Sequence, residues 1–245
     1  AGVKMTAAIN RLQPHPELAN EETSVIFVEH TDTQKIRKIF NKINKYAKQT
    51  SRGDNIITSD DDVFAVISRR LITDGEPLAP INGIDLVNWK SNTLSLRSKQ
   101  YTISDTLLKD NKYSTKVLPE ESELQEAYSE VANFWKVLLN NLDAFQEYIQ
   151  LTRRDKTISS MRENNLLLKP VTQMALAHVA RMAKNKNLAW EDIVEKLNKI
   201  SWSFDNELWF NLLVIGSANK KMITGKEAVR GVGMVISYLV MGDKM

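Results

Sequence analysis

Between Thr33 and Lys48 the apolar residues Ile36, Ile39, Phe40, Ile43, Tyr46 and Ala47 recur at three- and four-residue spacing, which predicts an amphipathic helix. A second helix is expected from Ser59-Asp60-Asp61-Asp62 through Val63, Phe64, Val66, Ile67 and Leu71. Its opening acids suit the free N–H groups and the positive end of the helix dipole. Ahead of these, residues 4–13 read as a short helix stopped by Pro14-His15-Pro16. Val25-Ile26-Phe27-Val28 is a β-branched apolar run between polar flanks and predicts a buried strand. Such a strand needs partners, and residues 81–97 are the place to seek them. Asp74-Gly75, Glu76-Pro77, Ala79-Pro80 and Asn82-Gly83 mark turns, while Leu94 and Leu96 alternate with polar residues as an extended piece would.

From about residue 102 the period is helical almost throughout. Helices are expected near 103–111, 120–140, 143–151, 164–185, 189–199, 205–215 and 224–241. Thr224 with Glu227 forms a capping box at the start of the last, and Gly231 and Gly233 weaken that helix or let a neighbour pack closely. Two parts follow: 1–100 as a small α/β part containing the 33–48 helix, and 101–245 as a helical domain. The fold class is mainly α. No internal repeat or low-complexity tract is seen.

Composition narrows the chemistry. The 245 residues hold no cysteine, so disulfides, thiolate nucleophiles and cysteine-ligated metals are excluded. No apolar run reaches the ~18 residues that span a bilayer. Residues 1–20 lack the apolar stretch of a secretory signal. A cytoplasmic location is expected. His15, His30 and His178 share no ligand spacing, and no metal or cofactor is expected.

The net charge of +3 says little by itself, and clustering says more. Lys35, Arg37, Lys38, Lys42, Lys45 and Lys48 lie on one helix with no acid among them, and Arg52 follows at a Gly53 turn. Most lie opposite the apolar stripe, on a face about 20 Å long. Like charges at this spacing repel by a few tenths of a kcal/mol, so the pattern suits a polyanion such as the DNA phosphate backbone. The alternative is a solvated face whose carboxylate partners come from elsewhere in the fold. Asn41 and Asn44 could read adenine edges, or serve as ordinary capping and core-edge groups. Asp60, Asp61 and Asp62 suit Mg²⁺ or, more simply, helix capping. Arg153, Arg154 and Lys156 form a smaller basic cluster in an expected loop, and Lys220 and Lys221 are expected to follow a helix end. Trp135, Trp190, Trp202, Trp209 and Phe210 sit among aliphatic residues at helical spacing and read as core or interface anchors.

Several ordered segments resemble a known family. The chain opens Ala1-Gly2-Val3-Lys4-Met5-Thr6-Ala7-Ala8-Ile9, whose tail matches an Asp-Gly-Gln-His-Arg-x-Ala-Ala-Ile motif while four of the five signature positions do not. His15-Pro16-Glu17-Leu18, the 25–28 strand, Gln34 to Asn44, Lys48-Gln49-Thr50-Ser51, Arg69, Ile200-Ser201-Trp202-Ser203 and Leu208-Trp209 follow in family order. The set resembles the DNA sulfur modification protein DndB and its DGQHR-domain relatives. The resemblance implies a ParB/sulfiredoxin-like α/β remnant ahead of a helical bundle. It also implies a bacterial DNA-binding regulator that accompanies phosphorothioate-modification genes rather than the sulfur-transfer enzyme.

At the motif the chain departs. Ala1 cannot serve as an acid, base or ligand, Met5 cannot clamp a phosphate, and Lys4 lacks the planar fork of Arg. The strand expected before the motif is missing from the chain as given, which a processed product or part of a split gene would explain. No catalytic residue is assigned. A non-catalytic DNA-binding accessory protein is expected, with other DNA-modification proteins or a second copy of the chain as further partners. A protein–protein scaffold and a nucleotide-hydrolysing DGQHR fragment are the alternatives.

Overall fold

The computed structural model describes residues 32–47, 56, 58–73, 75–79, 84–85, 95–151, 157–216 and 219–242. The chain divides into two compact units, residues 1–36 and 37–245. Of the first, only 32–36 is described: Asp32 accepts the Gln34 N–H through its side chain at 3.0 Å and opens helix α1, Thr33–Ala47. That span agrees with the apolar period. The helix and strand expected at 4–13 and 25–28 lie outside the described residues, as does the motif region at 1–9.

In the second unit, α2 (Val63–Arg70) starts at Asp62, whose carboxylate accepts the N–H groups of Phe64 at 3.0 Å and Ala65 at 3.4 Å. Two short strands, β1 (Ile84–Asp85) and β2 (Ser95–Leu96), pair in parallel, with Ile84 opposite Ser95. β2 falls where the alternation of Leu94 and Leu96 suggested an extended piece, and β1 lies in the same 81–97 region. Helix α3 (Arg97–Leu107) leads by way of a 3₁₀ turn at Lys109–Asn111 to α4 (Glu121–Asn141) and α5 (Asp143–Gln150). Glu121 and Glu123 lie in the first turn of α4, where the helix dipole favours acids.

The helix expected at 164–185 begins only at Pro170, and a helix that the period did not predict precedes it. α6 (Thr157–Asn164) ends before a 3₁₀ turn at Leu166–Leu168, and α7 (Pro170–Asn185) starts with Pro170 in its first turn. Asn165 caps the turn by accepting the Leu167 N–H at 2.9 Å, and the Leu166 N–H leaves the helical ladder to donate to the Trp202 carbonyl at 2.8 Å. Proline has no N–H to donate back, so a helix restarts there readily.

After α8 (Trp190–Leu197), the helix expected at 205–215 is not formed. Asn206 caps a 3₁₀ turn at Glu207–Trp209, Asn211 takes a left-handed φ of 62°, and β3 (Val214–Ile215) pairs antiparallel with β4 (Lys221–Met222). Asn tolerates the left-handed region through its short polar side chain, and Gly216, at φ 92°, turns the hairpin where an added Cβ would lie 2.7 Å from the Asn219 carbonyl oxygen. The last helix, α9 (Lys226–Met241), has Gly225 as its cap, not Thr224, so the expected capping box is not used.

The protein is mostly helical, as the period implied. α7 sits at the centre of the core and packs on α3, α8 and α9, while α4 packs on α2, α5 and α8. Ala175, Leu176, Ala177 and Val179 of α7 are fully buried, and the small residues let neighbouring backbones approach. A Cβ on Gly233 would meet the Ala175 carbonyl oxygen and His178 Cβ at 3.7 Å, so the glycine does mark a close helix contact. Trp135 and Trp209 are fully buried and Trp202 nearly so, with Trp202 and Trp209 stacked at 4.7 Å. Each such ring removes enough apolar surface from water to contribute about 2–3 kcal/mol. No helix among the described residues is long and apolar enough to cross a membrane.

Candidate nucleic-acid interface

The sequence of α1, TQKIRKIFNKINKYA, carries no acid, so its cations must find partners elsewhere or remain in water. Two of them find partners. The Arg37 guanidinium lies 3.2 Å from an Asp60 oxygen, and the Lys38 ammonium lies 3.5 Å from Asp61. Both pairs are solvent-exposed on the cationic side, where such contacts contribute about 0–1 kcal/mol and are screened by salt. Lys35, in the first unit, and Lys42, in the second, are exposed, and neither has an ion pair among the described residues. The Lys45 side chain, Lys48 and Arg52 lie outside the described residues. The face is therefore partly self-neutralised, against the wholly uncompensated row that α1 suggests when taken alone.

The three acids before α2 divide their work. Asp60 joins Arg37 to Arg69, whose guanidinium lies 2.8 Å away and also donates to the backbone carbonyls of Ile56 at 2.7 Å and Ser59 at 2.5 Å. Asp61 faces Lys38. Asp62 caps α2 and accepts the Tyr101 hydroxyl at 2.8 Å. Burial pushes the Asp62 carboxyl above the ordinary aspartate value; the Tyr101 hydroxyl and the two capped amides oppose this, and Asp105 adds to it. Burial also lowers the Arg69 pKa, against the pull of Asp60. Capping and charge pairing account for all three acids. Among the described residues no set of three His, Cys, Asp or Glu side chains is placed to hold a metal ion.

Ile39 is half-buried, but Phe40 is 54% exposed, so the apolar stripe of α1 is only partly covered. Asn41 is half-buried; the Asn44 side chain lies outside the described residues. Arg153, Arg154 and Lys156 lie outside them as well. Lys220 does not follow a helix: it pairs with Asp205 and lies 5.4 Å over the Phe210 ring. Lys221 belongs to β4.

The structure adds a charged residue that sequence pattern did not single out. Arg162 on α6 is 2% exposed, and burial pushes its guanidinium down to about 10, with the Tyr148 hydroxyl opposing. It remains protonated at neutral pH. Burial and then the Arg162 charge lower the ammonium of Lys169. An arginine one residue after Met161 and four after Ile158 gives little warning of burial, because arginine is rarely a core residue.

A family model described as DndB, DNA-sulfur modification-associated, matches residues 4–239. No curated protein and no solved structure matches the chain. The family match starts at Lys4, ends within α9 and takes in α1, the acids before α2 and the helical core, so the chain belongs to the DndB family of DNA-sulfur modification-associated proteins.

Proposed function

We propose that this chain is a non-catalytic DNA-binding regulatory or accessory protein of a DNA sulfur modification system, and that it contacts the phosphate backbone through α1 and residues 48–52. The observation that carries the proposal is an acid-free helix with exposed Lys35, Arg37, Lys38 and Lys42, in a chain of the DndB family. Lys45, Lys48 and Arg52 extend the same basic run in the sequence. Asp60 and Asp61 hold Arg37 and Lys38 only by exposed pairs, which a phosphate can replace at a cost of about 1 kcal/mol or less. Duplex DNA binding by the purified chain, compared with Lys38→Glu/Lys42→Glu/Lys45→Glu, tests it. Loss of binding in the triple variant with an unchanged helical spectrum is expected; equal binding by both proteins refutes the proposal.

One observation favours a second reading, a scaffold for other DNA-modification proteins or a second copy of the chain. Met234 and Tyr238 stand exposed on α9 four residues apart, on one face of the helix, with Leu239 exposed beside Tyr238. Partner or self-association that survives the α1 charge reversal but is lost with Tyr238→Glu would support it.

A further inference from the structure

Two cavities lined by described residues of the second unit treat their cations differently. One, of about 310 Å³ between α4, α7 and α8, contains Arg181 and Lys184, and both are already neutralised: Arg181 by Asp110 at 2.8 Å and Lys184 by Glu130 at 2.6 Å. The other, of about 390 Å³, lies where the first turn of α3, the start of α7 and the segment after β4 converge. Lys99 and Lys169 line it beside Val171, Met174, Met222 and Thr224. Among the described residues, neither lysine has a carboxylate within ion-pair distance. Lys169 is half-buried in the field of Arg162, with Glu163 as the opposing charge, and both burial and Arg162 disfavour its protonated form. Two fully buried polar side chains adjoin the lining residues in sequence, Gln100 next to Lys99 and Thr172 next to Val171. The Gln100 amide and the Thr172 hydroxyl have no hydrogen-bond partner among the described residues. Buried polar atoms without partners are rare in folded proteins, but neither of these two side chains lines the cavity.

We propose that this cavity binds a small organic anion, with its head between Lys99 and Lys169 and an apolar or aromatic body against Met174, Met222 and Val171. A negative head would give the two ammonium groups the close counter-charge that neither has among the described residues. The thioethers of Met174 and Met222 are polarisable and adapt to flat rings. The volume lies near the lower end of the range for small-molecule sites, about 300–1,000 Å³. A DNA backbone is excluded as the occupant by the concave, mainly apolar lining, which would strip water from neighbouring phosphates. The site is separate from α1 and does not depend on the DNA proposal.

The test uses the full chain and anilinonaphthalene sulfonate, an aromatic body with one fixed negative charge, followed by fluorescence and calorimetry. One saturable site is expected. Lys99→Gln/Lys169→Gln should weaken it about tenfold or more, the effect of losing charge-assisted contacts. Met222→Trp, which fills the cavity from its more exposed wall, should abolish it with the helical spectrum unchanged. Competition identifies the head group: displacement by adenosine monophosphate assigns a phosphate, displacement by benzoate a carboxylate. Binding equal in the wild type and both variants, several unsaturable weak sites, or displacement by neither competitor would overturn the proposal.

Discussion

Replacing Asp61 with Asn separates the two roles that the cations of α1 can have. The side chain faces Lys38 at 3.5 Å, with the lysine about half exposed and the aspartate about one-third exposed, and it makes no capping contact, since Asp62 caps α2. At that exposure the pair contributes no more than about 1 kcal/mol. For a chain of this size the melting temperature should therefore fall by less than about 4 °C. If α1 binds phosphate, the substitution frees Lys38 and removes a like charge from the approach of DNA, so affinity should rise. Each additional phosphate contact steepens the dependence of log K on log salt by about 0.9, so a fourfold rise in salt should cost the variant about 3.5-fold more affinity than it costs the wild type. Fluorescence anisotropy with a labelled duplex at two salt concentrations reads both quantities. Unchanged or weaker binding with an unchanged slope would mean that Lys38 serves only its own carboxylate, and would refute the reasoning for that cation.

Other expectations concern the fold. Trp209 is fully buried, stacks on Trp202 and donates its indole N–H to the Ser201 carbonyl at 2.8 Å, so Trp209→Ala should cost about 3–5 kcal/mol in denaturant unfolding. Gly233→Ala places a methyl group at ordinary contact distance within α9 and should stabilise by about 0.5–1 kcal/mol, whereas Gly231→Ala presses on Leu212 at 3.3 Å and should gain less in the same assay. The Arg181 guanidinium holds the Asp110 carboxyl below its ordinary value of 3.8. The stability from this contact is present above that pH and is lost as the pH falls through the folded value. Asp110→Asn should remove that part of the acid-side loss in melting curves taken between about pH 5 and pH 2.

The period of apolar residues marked α2, α4, α5, α8 and α9 to within a few residues because each turns one face to the core, and it marked α1 as well, though the stripe there is only partly covered. It failed where polar caps interrupt an apolar run. Leu166-Leu167-Leu168 continues the helical pattern, yet Asn165 and Pro170 end one helix and start another, and Pro170 was the available signal. Likewise Leu208 to Ile215 has helical spacing, but Asn206, Asn211 and Gly216 impose a turn and a hairpin that period alone does not detect. The basic character of α1 was plain in the sequence. Its partial neutralisation was not, because Asp60 and Asp61 belong to the next element and reach Arg37 and Lys38 only after folding. Lys99 and Lys169 lie 70 residues apart in the sequence, and only the packing of α3 against α7 brings them to one cavity.

The central claim is that α1 and residues 48–52 bind the DNA backbone. The most direct measurement is the affinity of the unaltered protein for a short duplex across a series of salt concentrations. Of the seven proposed cations, Arg37 and Lys38 are engaged by acids; phosphate contacts by the other five, Lys35, Lys42, Lys45, Lys48 and Arg52, set a slope of log K against log salt of about −3 to −5. A slope near zero, or no detectable complex at low salt, would contradict the claim.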